Sequence, residues 1–410
     1  MSQNIIVIGL DEGDEGKARW ADYLATEFKA KYVVRWQGGG NAGHTVYKEG
    51  VKYVFHQIPS AINSEADFII GPGCVVNPDI LVKDIQLLGD TKRKIFVDYR
   101  APLALPLHIQ KDIVQEKVLG SKAIGTTCQG IGPAYADFVA RKTLRFVDLI
   151  SKGSFVSKWR EFYCGKYPYA EEQLTEFMLW REQHIDLFNE IAADTVPIVR
   201  NSPSEDFLFE GAQSIKLDLM SSQWPNVTST SCHPASICTT FGISAFEVSN
   251  WVTYGVIKPY TTKVGGGYLL TEMDEENASQ YRELGNEYGA TTGRPRRCAW
   301  LDLVELGNSI KLSGTNRVVL SKYDIVFDQE GKVRSGLDFR VCTGYGLKQG
   351  KYFRDCRDKV DNFRKDKDIF PIYTGIKSFD QFRNVFSDIV LKNITMISKG
   401  VGLDSVEELG

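Results

Sequence analysis

A chain of 410 residues with 43% hydrophobic content can bury at least one large core, and its 49 Lys and Arg against 52 Asp and Glu leave a formal charge of -3, so no global field favours nucleic acid or a membrane surface. The start MSQNIIVIGL lacks a basic region and a long enough apolar run for a signal peptide, and no segment approaches transmembrane length, so a cytoplasmic location without membrane contact is expected. The eight cysteines are dispersed, with no CxxC pair and no histidines at zinc spacing, and read as reduced thiols filling the core.

Residues 4–10 form a β-branched run, followed by a glycine-rich turn and an amphipathic stretch at 17–28 with helical spacing. A second strand pattern at 31–36 runs into another glycine-rich loop, QGGGNAGHT, at 37–45. Further apolar runs at 68–70, 94–99, 206–209, 251–257 and 317–320 alternate with helical patterns, predicting an α/β fold whose large, mixed, mostly parallel central sheet is flanked by helices. Residues 151–195, rich in aromatic and charged side chains, read as a helical insertion within one domain spanning 1–410.

In GLDEGDEGKAR, Gly9, Gly13 and Gly16 precede Lys17 at a helix start, an arrangement that cradles phosphates with free backbone N–H groups and a mobile cation. It is P-loop-like without matching a Walker A motif: the glycine spacing is one residue too long, and Ala18 stands where a metal-binding Ser or Thr would. Asp14 is the natural carboxylate for a hard cation there; a charged surface turn is the competing reading. In the second loop, Asn41 and His44 lie among four glycines, which bring the backbone close to a ligand while presenting an amide and an imidazole. Thr126 and Thr127 sit between glycines in the stretch 123–141, suited to a further phosphate or to a plain turn. In 285–300, Thr291, Thr292, Arg294, Arg296 and Arg297 suit bidentate capture of carboxylates, with a nucleic-acid patch the weaker alternative. The stretch 318–324 ends an apolar strand with Lys322 and Asp324, and an aspartate can accept both guanine donors that adenine lacks.

Taken collinearly, GDEGK, NAGHT, GTT with GIGPAY, FEGAQ, KVGGG, GATTGR and SKYD resemble the adenylosuccinate synthetase family over nearly the whole chain. The resemblance implies a magnesium-dependent homodimer that joins L-aspartate to IMP with GTP through a 6-phosphoryl intermediate. Asp14 would then take the N1 proton of the base and bind the metal with Gly43, and His44 would stabilise the transferred phosphoryl group. Gly13, Glu15, Gly16 and Lys17 would hold the GTP phosphates, while Lys322, Asp324, Ser398 and Gly400 read guanine. Asn41, Thr127, Gln213, His233 and Val264 would contact the acceptor nucleotide, with Arg141 reaching across the dimer; Thr292, Arg294 and Arg296 would bind aspartate.

The chain also departs from the family pattern. Asp11 and Glu12 replace Gln-Trp ahead of GDEGK, placing negative charge beside a triphosphate site, where it is expected to repel phosphate unless turned outward or bound to metal. Gln129 and Lys263 replace arginines, His233 stands for a phosphate-binding threonine, and SKGVG lacks the usual proline. Two alternatives follow: the same chemistry on dGMP or another 6-oxopurine nucleotide, as in a related phage branch that tends to lose the carboxylate at the position of Asp14, or a nucleotide-binding paralogue without turnover.

Overall fold

The run IIVIG at Ile5–Gly9 forms a strand at the middle of a ten-stranded sheet. Its side chains alternate between two cores: Ile5 and Val7 pack on one face with Trp20, Leu24 and Phe68, and Ile6 and Ile8 on the other with Val34, Phe209 and Leu301. Burial on both faces explains the unbroken apolar run. We describe residues 3–120, 123–202, 204–289, 293–347, 352–353 and 369–409 of a computed structural model.

From edge to edge the strands are Val406–Glu408, Ile394–Ser398, Arg317–Leu320, Val252–Ile257, Ile5–Gly9, Phe207–Ser214, Tyr32–Arg35, Asp67–Ile70, Ile95–Asp98 and Ala192–Ala193. Every pairing is parallel except that of the edge strand Val406–Glu408, as expected for a mixed, mostly parallel sheet. Ligands bind such sheets in the crevice beyond the carboxyl ends of the central strands. The helix Lys17–Glu27 starts there at Gly16, whose φ of 97° needs glycine, and buries Ala18, Trp20, Ala21, Leu24 and Ala25.

Residues 151–195 are largely helical, as expected, with helices Lys152–Tyr163 and Ala170–Ile191 joined by an aromatic cluster in which Phe155 and Phe177 stack at 5.3 Å. Two features differ from the sequence reading. A second, five-stranded sheet contains Tyr260–Lys263, Arg297–Asp302, Arg340–Leu347, Tyr352–Phe353 and Ile369–Gly375. And the second glycine loop ends earlier than expected: His44 opens the strand His44–Lys48, which pairs with Val51–Phe55 around Glu49 and Gly50, both at positive φ. That two-residue turn fits the twist of a hairpin, but Glu-Gly is a weaker signal for it than Asn-Gly. Among the described residues no helix is long and apolar enough to cross a membrane.

Candidate active site

A cavity of about 1000 Å³ opens beyond the carboxyl ends of the central strands. The phosphate loop forms its floor. There Glu15, 1% exposed, turns its carboxylate back into the loop: Oε1 accepts from the amides of Asp11 at 3.2 Å and Gly13 at 2.9 Å, and Oε2 from Lys17 Nζ at 2.7 Å. The Glu15 side chain thus builds the loop, which leaves its main chain to face an anion in the cavity that it lines. A Cβ at Gly9 would lie 2.3 Å from Glu15 Oε2, so any larger residue there would displace the carboxylate that organises the loop. Gly13, Gly16 and Lys17 line the cavity, where the first helical N–H groups lack intrahelical acceptors. Asp14, at φ 57° and with a side chain 38% exposed, stands out of the loop into the same space.

His44 faces Asp14's loop across the cavity. Its Nδ1 contacts Glu210 Oε1, and Glu210 in turn accepts from the Ser60 amide and hydroxyl, each at 2.8 Å. Both side chains are buried, His44 at 4% and Glu210 at 0% exposure. Burial pushes the imidazole pKa down, Arg35 acts the same way, and Glu210 opposes them. Burial works against the Glu210 charge, but His44 and Arg35 outweigh it and hold its carboxyl below the usual range. Sequence reasoning quoted FEGAQ yet missed Glu210, because a strand carboxylate shows no role until its histidine partner, 166 residues away, is placed beside it.

Asn41 and Gln213 meet at the acceptor side, with Gln213 Nε2 donating to Asn41 Oδ1 at 3.2 Å. Thr127, Gly43 and Val264 line the same region. The loop carrying Thr127 is pinned from the helix Pro106–Leu119: Glu116 accepts from the amides of Ile124, Gly125 and Thr126, and Asp112 from the Thr126 hydroxyl and the Gly130 amide. His233 is not among the residues lining the cavity; its ring bridges the Leu312 carbonyl and the Ala235 amide. Arg141, expected to act across a dimer, is exposed and does not line this chain's own cavity.

On the carboxylate-binding side, Arg296 places Nε 2.7 Å from Asp14 Oδ2, an ion-pair contact without hydrogen-bond alignment, and donates from Nη1 to Glu287 Oε2 at 2.6 Å. Glu287, with no exposure, also accepts from Lys322 Nζ at 2.7 Å, Lys258 Nζ at 3.1 Å and Tyr260 Oη at 2.7 Å. Burial opposes its charge, yet Lys258, Lys322 and Arg296 together hold its carboxyl well below the usual range. The sequence reading missed Glu287; the excess of cations around it was the available signal. Arg297 does not join the site, being held by Glu272 and the Gly267 carbonyl. Arg294 is exposed outside the wall, and Thr292 lies outside the described residues. Lys322, Ser398 and Gly400 line the cavity; Asp324 follows on the next turn, close enough to Arg19 to stabilise its charge.

Asp11 and Glu12 overturn the expectation of repulsion. Both are 5% exposed and paired with lysines: Asp11 Oδ1 lies 2.9 Å from Lys216 Nζ, and Glu12, which borders the cavity, contacts Lys263 Nζ through Oε2. Burial works against the Glu12 charge, but Lys216 and Lys263 prevail and bring its pKa from the usual 4.5 down to about 2. A carboxyl depressed on folding stabilises the native state above its unfolded pKa, and that stability is lost as pH falls through the folded value. Wild-type protein is therefore expected to lose on the order of 3 kcal/mol between pH 4.5 and 2 through this group. Urea melts of Glu12→Gln at pH 5 and 3.5 should show a flatter acid dependence; parallel slopes would count against this ionisation.

Among the described residues no group of three or more His, Cys, Asp and Glu could hold a metal alone. The Asp14 carboxylate with the Gly43 carbonyl is the kind of oxygen donor set that magnesium accepts when phosphates and waters complete its shell.

A family model described as adenylosuccinate synthetase matches residues 6–393. The adenylosuccinate synthetase of Clostridium perfringens is 37% identical over 395 residues, covering 90% of this chain and 87% of that protein. That of Acetivibrio thermocellus is 34% identical over 422 residues, covering 97% and 95%. The fully ligated adenylosuccinate synthetase of Plasmodium falciparum superposes with a TM-score of 0.87 at 25% identity, covering all of both chains. A cyanophage S-2L succinoaminodeoxyadenylate synthetase bound to dGMP and dATP shares the fold, with a TM-score of 0.67 at 17% identity over 100% of this chain and 96% of that one.

Proposed function

The chain belongs to the adenylosuccinate synthetase family of carbon–nitrogen ligases, and on that premise we propose how its own residues carry out GTP-dependent joining of L-aspartate to IMP. The observation that carries the reading is the meeting of Asp14, His44 and Arg296 in one cavity above a phosphate loop. Asp14 takes the N1 proton, so that the 6-oxygen attacks the γ-phosphorus of GTP; the O6–P bond forms as the bond to GDP breaks. His44 stabilises the phosphoryl group transferred to the 6-oxygen. In the free protein burial disfavours the charged imidazole, whose Nδ1 contacts Glu210. An anionic phosphoryl group at Nε2 would favour proton uptake and turn that nitrogen into a donor. The aspartate amine then displaces phosphate at C6, while Arg296 holds an aspartate carboxylate; Arg294, exposed outside the wall, would have to turn inward to hold the other.

Gly13, Gly16 and Lys17 bind the donor phosphates, and Lys322, Asp324, Ser398 and Gly400 form the guanine side. Asn41, Thr127, Gln213 and Val264 hold the acceptor. Magnesium held by Asp14 and the Gly43 carbonyl would neutralise phosphate charge. The exposed position of Arg141 suits service to a second copy, and we assign the enzyme to the cytoplasm as a homodimer. Retention of Asp14 favours IMP over dGMP. Purified protein with IMP, GTP, L-aspartate and magnesium is expected to give adenylosuccinate, GDP and phosphate, separable by ion-exchange chromatography. Product from dGMP but not IMP would move the assignment to the alternative acceptor, and no product from either would reject it.

A further inference from the structure

Arg19 stands two residues past Lys17, in the first turn of the helix that leaves the phosphate loop, and it lines the same cavity. Its guanidinium reaches the C-terminal part of the chain: Nη2 donates to the Gly402 carbonyl at 2.6 Å and contacts the Ser405 hydroxyl. The next residue reaches the other base-side segment, where Trp20 Nε1 donates to the Ser321 hydroxyl at 2.8 Å, one position before Lys322. One turn of helix therefore moors both stretches assigned to guanine.

Residues 399–405 join the strand Ile394–Ser398 to Val406–Glu408, which forms an edge of the ten-stranded sheet. Within this turn the Lys399 amide donates to the Ser405 carbonyl at 2.9 Å, and the Ser405 amide and hydroxyl donate to the Gly402 carbonyl at 3.2 and 2.6 Å. Val401 occupies the place of the family's proline and lies between Gly400 and Gly402. Glycine loses more conformational freedom on ordering than any other residue, whereas proline arrives with φ already fixed, so this turn costs more to hold than one with the proline. A bond from a cationic donor is stronger than one between neutral groups and offsets that cost. Burial pushes the Arg19 pKa down from the usual 12.5 to about 10, but Asp324, Asp404 and Asp22 oppose the fall, and the guanidinium stays charged at neutral pH.

We propose that Arg19 is a positioning residue for the donor base, holding the turn 399–405 from outside so that Ser398 and Gly400 stay in place against guanine, where this chain lacks the proline that would hold them from within. The donor then meets a turn already in shape, and its binding carries no fresh ordering cost. The effect falls on KM for GTP and leaves the chemical step alone. This rests on the donor assignment above.

Steady-state kinetics of the full-length protein with GTP, IMP, L-aspartate and magnesium test it. Arg19→Met keeps an unbranched stem and removes the donors, so KM for GTP is expected to rise about 10- to 150-fold, the worth of one hydrogen bond to a charged group. The KM values for IMP and aspartate and kcat at saturating GTP should hold. Val401 is not at positive φ, which admits proline there. Arg19→Met/Val401→Pro should therefore recover about 2- to 5-fold of the lost GTP affinity, because the proline reduces the freedom the turn must lose. A proline at that site could not mend a damaged phosphate loop, so the recovery reports the turn. An unchanged KM for GTP in Arg19→Met, a rise shared equally by GTP, IMP and aspartate, or a double variant no better than the single one overturns the proposal. Should Arg19→Met not fold, Ser405→Ala decides in its place: a raised KM for GTP alone supports the proposal and an unchanged one refutes it. Turnover of the unaltered chain with ATP but not with GTP would instead overturn the donor assignment, and the role of Arg19 with it.

Discussion

An Asp14→Asn chain is expected to lose turnover by about 10²- to 10⁴-fold, the usual contribution of a positioned general base, while still binding both nucleotides. Three features make this substitution informative. Asp14 has φ 57°, and asparagine is among the few residues that tolerate the left-handed region, so the loop backbone is kept. The Glu15 carboxylate, which organises the loop from inside, is untouched. Arg296 loses one anionic neighbour but keeps Glu287, and a pair with one partner 38% exposed contributes no more than about 1 kcal/mol. Loss of function with an unchanged melting curve and near-normal nucleotide affinity by calorimetry would therefore report chemistry. Turnover close to that of the unaltered chain would remove Asp14 from the proton-transfer role.

The parts of the structure legible in the sequence are those written locally. The strand Arg317–Leu320 matches its apolar run residue for residue, and the helix Lys17–Glu27 falls within its periodic stretch. The strand Phe207–Ser214 runs five residues beyond the apolar pattern because Glu210 and Gln213 are polar positions used by the site. The second sheet escaped because Tyr260–Lys263 follows a core strand after only two residues, and Arg297–Asp302 emerges from a loop read for its arginines. Charge pairing was the least legible. Asp11 and Glu12 looked repulsive beside a phosphate site, and the lysines that neutralise them come from 205 and 251 residues further along the chain. No local pattern connects such partners. Lys216 follows the strand Phe207–Ser214 and Lys263 ends the strand Tyr260–Lys263, and only the folded chain brings both to the phosphate loop.

Glu287 leads to the second large effect. One carboxylate with no exposure serves Lys258, Lys322, Arg296 and the Tyr260 hydroxyl, so Glu287→Gln leaves three cations around a neutral amide whose NH₂ faces further donors. Removing one partner from a buried ionic cluster costs about 3–5 kcal/mol, and a similar loss is expected in chemical denaturation. The consequence for function is separate from stability. Arg296 and Lys322, held on Oε2 and Oε1 of Glu287, both line the cavity, and a displacement of about 1 Å at a positioning residue can cost roughly 10²-fold in rate. At a temperature where the variant is fully folded, kcat/KM for aspartate should fall by about that factor, because Arg296 is left with Asp14 as its remaining carboxylate and is drawn toward the proposed base. On the Asp14→Asn background, where the base is already lost and no Asp14 carboxylate remains to draw Arg296 aside, Glu287→Gln should then add little to the loss, since its effect acts through that same arginine. Independent, multiplicative losses would show that Glu287 supports the fold without setting the position of Arg296.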